Sequence, residues 1–135
     1  MPQTGRILAV DDEADACDTL AALLREEGYL VETAADGLKA LPKLDEFAPD
    51  VVITDLKMPG LDGMGLMLKV HEEDPDRVVI VMTASSAVDT TVAAMRAGAA
   101  DYLIKRTLPA SRWGNSVSRR NWRVQAAGVQ KDLAL

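Results

Sequence analysis

Val51-Val52-Ile53-Thr54-Asp55-Leu56-Lys57-Met58-Pro59-Gly60 sets a carboxylate at the end of an unbroken apolar run, and a turn, not a helix, follows it. A run of this length, short of a helix, suits a strand buried on both faces. An aspartate closing such a strand has no helix to cap, so its position calls for a functional account. The arrangement recurs: Asp11-Asp12 follow Ile7-Leu8-Ala9-Val10, Thr83 follows Val78-Val79-Ile80-Val81-Met82, and Lys105 follows Tyr102-Leu103-Ile104. If these runs are parallel strands, all of these side chains meet at one sheet edge, where open α/β folds bind their ligands.

Helix-length segments separate the apolar runs, as in βαβ units. The pattern predicts strands near 6–10, 30–34, 51–54, 78–82 and 101–105. A first helix, Ala14 to Glu27, carries Ala16, Leu20, Leu23 and Leu24 at helical spacing, with Gly28 as its stop. A second, Gly37 to Glu46, sets Leu38, Leu41 and Leu44 on one stripe around Pro42. The third opens at Leu61-Asp62-Gly63, carries Met64, Leu68 and His71, and closes at Asp74-Pro75-Asp76. The fourth runs from Ala87 to Ala97 with Gly98 as cap. A fifth helix is expected from about 110 to 127 on Trp113, Val117 and Val124, against the weak helix formers Gly114, Asn115, Ser116 and Ser118.

The 135 residues, 48% of them hydrophobic, suit one domain with a real core. No apolar stretch approaches the ~18 residues of a membrane span. Met1 to Arg6 leads into the first strand without a signal-peptide pattern, so a cytoplasmic protein is expected. Cys17 has no second cysteine to pair with and reads as a small core residue. Residues 1–104 hold 8 Lys and Arg against 20 Asp and Glu, net −12, whereas residues 105–135 hold 7 basic and 1 acidic, net +6. The acidic body argues against a duplex-binding surface; the basic tail is short for a nucleic-acid module but suits an acidic partner.

Asp11-Asp12-Glu13 lies where a strand hands over to a helix, and capping with first-turn acids accounts for one of the three. Crowding them beside Asp55 raises repulsion that a divalent cation with oxygen ligands relieves. Mg²⁺ typically takes one or two carboxylates with phosphate oxygens, and an Asp carboxylate can itself attack phosphorus. Lys105 on the same edge supplies positive charge for such a transfer, unless it is simply a solvated strand-end lysine. The Thr83 hydroxyl has two readings, a donor to a phosphoryl oxygen or part of a helix start at which Thr83 or Ser85 is the N-cap.

These residues carry a resemblance. Val10-Asp11-Asp12-Glu13, Asp55-Leu56-Lys57-Met58-Pro59-Gly60-Leu61-Asp62-Gly63, Met82-Thr83-Ala84 and Gly98-Ala99-Ala100-Asp101-Tyr102-Leu103-Ile104-Lys105, in that order, resemble the receiver domain of bacterial two-component response regulators over about residues 5–106. The resemblance implies a three-layer, doubly wound, five-stranded parallel sheet of order 2-1-3-4-5, a flavodoxin-like receiver fold over residues 1–127 with a tail at 128–135. It implies Asp55 as phosphoacceptor; Asp12, Asp55 and the Lys57 carbonyl as direct Mg²⁺ ligands, with Asp11 acting through water; and Lys105 paired with the phosphoryl group. Thr83 and Tyr102 would be the switch residues, with Tyr102 turning from outside to inside. Implied partners are a sensor histidine kinase or phosphotransfer protein, an output domain or downstream protein, and a second copy in a homodimer, but no membrane and no nucleic acid at this domain. The segment after Asp55 looks most like receivers attached to transcriptional activators. No segment here is long enough for such an output, so the chain acts alone or is a fragment.

Departures begin after Lys105: Arg106 stands where the family usually has proline, which predicts a trans bond there, and proline arrives only at Pro109. Arg112, Arg119, Arg120 and Arg123, with Trp113 and Trp122, make the fifth helix unlike the usual acidic-basic dimer face. Two other readings compete. A Mg²⁺-dependent phosphatase working through aspartyl phosphate often carries an Asp two residues after its nucleophile, where Lys57 stands here. A receiver-like interaction module that is not phosphorylated would keep the fold alone. A flavin phosphate loop is disfavoured, since Asp11-Asp12-Glu13 would repel the phosphate. The motif set favours a switch that turns over its own aspartyl phosphate and no other substrate, so it is not a multiple-turnover enzyme.

Overall fold

Continuous apolar runs become the inner strands, and the segments between them become helices on both faces. The computed structural model describes residues 5–83 and 88–104. In chain order the elements are β1 (Arg6–Val10), α1 (Ala14–Glu26), β2 (Leu30–Ala34), α2 (Gly37–Glu46), β3 (Val51–Asp55), α3 (Gly63–Glu73), β4 (Val78–Thr83), α4 (Val88–Ala97) and β5 (Asp101–Ile104). The strands form one parallel sheet in the order β2-β1-β3-β4-β5, as expected. Positive φ at Gly28 (97°) and Gly98 (123°) ends α1 and α4 where the sequence placed their stops. The expected fifth helix, the boundary at 127 and the Lys105-Arg106 bond lie outside the described residues.

Alternate strand residues divide the core in two. Ile7, Ala9, Ile53, Ile80 and Met82 pack with Cys17, Leu20 and Leu24 of α1. Leu8, Val10, Val52, Val79 and Val81 face the other way, onto Leu44 of α2, Leu66, Met67 and Val70 of α3, and Ala94 of α4. The helix faces differ from the sequence reading. Leu38 and Leu68 are 60% and 56% exposed, while α2 buries Gly37, Ala40 and Leu44 and α3 buries Gly63, Leu66, Met67 and Val70. Leu44 faces the sheet as the stripe predicted, but its partners there are Gly37 and Ala40 on α2 and Leu66, Met67 and Val70 on α3, and Leu38 and Leu68 fall to the side. His71 is half-buried, with Nε2 3.0 Å from the Arg77 carbonyl.

Leu30 and Ala34 bond across to the β1 side, through Leu30 N–H to Gly5 O (3.0 Å) and Asp11 N–H to Ala34 O (3.1 Å). The Val31 and Thr33 carbonyls therefore point out of the sheet edge. Arg25 Nη2 donates to the first at 2.9 Å and Lys43 Nζ to the second at 2.6 Å.

Candidate functional site

The register of the sheet assembles the site. Val10 pairs with Thr54, so Asp11 and Asp55 leave neighbouring strands at the same height. Asp55 pairs with Met82, which sets Thr83 one residue further along the same edge. Thr83 pairs with Ile104, the last residue of β5. The carboxylates of Asp11, Asp12 and Asp55 come together, with one oxygen from each within 4.8 Å of the others. Asp11 (1% exposed) and Asp55 (6%) are buried, and Asp12 is exposed. The sequence predicted this convergence.

Capping explains little of it. The N-cap of α1 is Glu13, which makes no side-chain cap bond. Asp11 Oδ1 does accept the Glu13 N–H at 2.9 Å, which fixes that carboxylate at the strand end. Asp55 Oδ1 accepts a long bond, 3.3 Å, from the Lys57 N–H. Helix α3 is capped elsewhere: Asp62 accepts from Gly65 N–H at 2.8 Å.

The loop between β3 and α3 is seated by contacts that no side-chain pattern announces. Leu56 donates its N–H to Met82 O and accepts from Gly63 N–H, both at 3.0 Å. Leu56 and Met58 are buried, which leaves Lys57 between them exposed. A Cβ on Gly63 would overlap the Asp55 carbonyl oxygen and lie 2.8 Å from Leu56 Cα, so α3 starts directly against the Asp55 backbone. On the far side, a Cβ on Gly37 would overlap the Leu61 carbonyl oxygen. Backbone approaches of this kind leave no periodicity, and only the buried glycines themselves hint at them.

The remaining predicted residues are placed in part. Thr83 ends β4, and its side chain lies outside what is described. Tyr102, beside Val81 in register, is 43% exposed. Lys105 lies outside the described residues. Three carboxylates at this spacing form a hard-oxygen set that fits a divalent cation such as Mg²⁺ and would otherwise repel one another.

Comparisons with known proteins agree with this geometry. A family model for the response regulator receiver domain matches residues 7–111. The transcriptional regulatory protein ZraR of Klebsiella oxytoca is 46% identical over 99 residues, 73% of this chain and 22% of that protein. The transcriptional regulatory protein PrrA of Mycobacterium tuberculosis is 43% identical over 100 residues, 74% of this chain and 43% of that protein. The chain thus spans less than half the length of these curated relatives. A CheY-like response regulator receiver domain protein from Methanospirillum hungatei superposes with a TM-score of 0.80 at 27% identity, covering 96% of this chain and 99% of that one. Among the described residues, no helix is long and apolar enough to cross a membrane.

Proposed function

The chain belongs to the response regulator receiver domain family of two-component signalling, and from that premise we propose that it is a phosphorylatable switch with Asp55 as the phosphoacceptor. The observation that carries the reading is the convergence of Asp11, Asp12 and Asp55 within 4.8 Å at the end of buried strands. The donor is a phosphohistidine on a sensor kinase or phosphotransfer protein, or a small phosphodonor. An Asp55 carboxylate oxygen forms the new bond to phosphorus as the bond from phosphorus to the imidazole nitrogen breaks. The leaving nitrogen keeps the electron pair, and water later cleaves the acyl phosphate to free Asp55 and inorganic phosphate.

Asp12, Asp55 and the Lys57 carbonyl would hold Mg²⁺ directly, with Asp11 behind them through water. When bound, it neutralises charge on the phosphoryl oxygens during transfer. Lys105 pairs with the same oxygens, and the Thr83 hydroxyl donates to them. Tyr102 then leaves its exposed position, remodelling the surface beside α4 and β5. The chemistry is confined to the chain's own Asp55, since Lys57 stands where a substrate-turnover enzyme of this chemistry often carries its acid. The names of ZraR and PrrA support an output in transcription, through a joined domain or a separate protein.

Intact-mass spectrometry after incubation with acetyl phosphate and Mg²⁺ tests the reading, with wild type compared to Asp55→Asn. One added phosphoryl group in wild type alone is expected. No gain in a folded wild type would favour a receiver-like interaction module that is not phosphorylated.

A further inference from the structure

Gly37 sits at the first position of α2, on a different element from every residue assigned to the metal and phosphoryl site. It is buried, and a Cβ there would overlap the Leu61 carbonyl oxygen, with Leu61 Cβ at 3.0 Å and the carbonyl carbon at 3.1 Å. Leu61 is the far end of the loop that carries Lys57. The near end is pinned, because Leu56 bonds to both Met82 and Gly63. Between them the Lys57 N–H reaches Asp55 Oδ1 at 3.3 Å and Met58 is buried, so the course of the loop past Lys57 is held at several points, of which Leu61 is the last. We propose that Gly37 is a positioning residue: by letting α2 close directly onto Leu61, it fixes the loop so that the Lys57 carbonyl stands at the Mg²⁺ site. This rests on the reading of Asp12, Asp55 and the Lys57 carbonyl as the metal's ligands.

A methyl group at this position must displace one of the two sides, and the sides differ in stiffness. Helix α2 is anchored by buried Ala40 and Leu44, by the Asp36 cap on Lys39 N–H (2.8 Å) and by Lys43 Nζ on Thr33 O (2.6 Å). The loop carries exposed Pro59 and Gly60, and Leu61 is only half-buried. The loop therefore yields first, from its end at residues 59–61, against the anchors at Leu56 and Met58. Because the clash is with a backbone carbonyl, no rotamer change relieves it. Gly65 provides the contrast: a Cβ there would overlap the end of a side chain, Leu61 Cδ1 at 2.6 Å, with Asp62 Oδ1 (3.4 Å) and Leu61 Cγ (3.6 Å) in ordinary contact and no backbone atom among them, so a turn of that leucine relieves the conflict.

Calorimetric Mg²⁺ titration of wild type, Gly37→Ala and Gly65→Ala, below the thermal midpoints of all three, separates positioning from general stability. Gly37→Ala is expected to bind Mg²⁺ about tenfold more weakly, as when a group orienting a metal ligand is lost, with Gly65→Ala within about twofold of wild type. An unchanged affinity in folded Gly37→Ala, or an equal loss in Gly65→Ala, overturns the inference. A second measurement needs no variant: in wild type, Mg²⁺ should shift the amide resonances of Gly37 and Leu61 with the same midpoint as Lys57. A response at Lys57 that leaves Gly37 still overturns the inference even if Gly37→Ala does not fold. Absence of any saturable Mg²⁺ binding by wild type would overturn the metal reading itself, and this inference with it.

Discussion

Replacing Asp12 by Asn keeps the side chain's size and removes one of three charges whose oxygens lie within 4.8 Å of one another. At that separation a like-charged pair repels by about 0.9 kcal/mol in a water-like dielectric and about 3.5 kcal/mol at an effective dielectric of ~20. Asp12 is exposed, which puts its two pairs near the lower value. Physiological salt, with a Debye length of ~8 Å, removes roughly half of that. Asp12→Asn is therefore expected to stabilise the metal-free fold by about 1 kcal/mol. Mg²⁺ reverses the order. A ligand that binds only the folded state adds about 2.7 kcal/mol at a hundredfold excess over its Kd, and the variant, lacking one charged ligand, gains much less. Urea titrations followed by circular dichroism, in EDTA and in saturating Mg²⁺, measure both differences. A variant less stable than wild type in EDTA, or an equal Mg²⁺ gain in the two proteins, refutes the electrostatic reasoning.

Gly63→Ala tests the close approach behind Asp55. Helix propensity alone favours alanine by about 0.5–1 kcal/mol, but overlap with the Asp55 carbonyl is an overpacking cost of about 1–3 kcal/mol that no rotamer relieves. The thermal midpoint should fall, and a rise would show that α3 does not press on Asp55. At the other side of the sheet, removing Arg25 and Lys43 together bares the outward carbonyls of Val31 and Thr33 on the edge strand. The Arg25→Ala, Lys43→Ala double variant should self-associate more strongly than wild type in sedimentation velocity; an identical concentration dependence argues that these bonds do not guard the edge.

The strands were legible because a parallel sheet covered on both faces needs unbroken apolar runs, and Val51–Ile53 and Val78–Met82 are such runs. The acidic cluster was legible for the same reason: once strand ends are known, a parallel topology brings Asp11 and Asp55 together. The helix faces were read less well. Leu38 and Leu68 attract attention by size, yet the positions against the sheet belong to Ala40, Gly63 and their neighbours. Composition cannot say which leucine faces inward when small residues share its helix. The glycine contacts at Gly37 and Gly63 were illegible, because a close backbone approach is encoded by a missing side chain on one element and a carbonyl on another.

The carboxylates and the seated loop make one device. Helix capping does not account for the three acids at this edge: the cap residues of α1 and α3 are Glu13 and Asp62, both outside the cluster, although Asp11 and Asp55 each accept a nearby backbone N–H. Only the folded chain gathers these charges, so any cation or phosphoryl group that compensates them acts on the folded state and on the arrangements it can adopt. The groups beside the cluster differ in how firmly they are held. Leu56 and Met58 are buried in the core, whereas Tyr102 stands 43% exposed on β5, an outer strand of the sheet. A local change of charge at Asp55 therefore meets the buried Leu56 and Met58 on one side and the exposed Tyr102 on the other. The motion should appear at β5, at the exposed Tyr102.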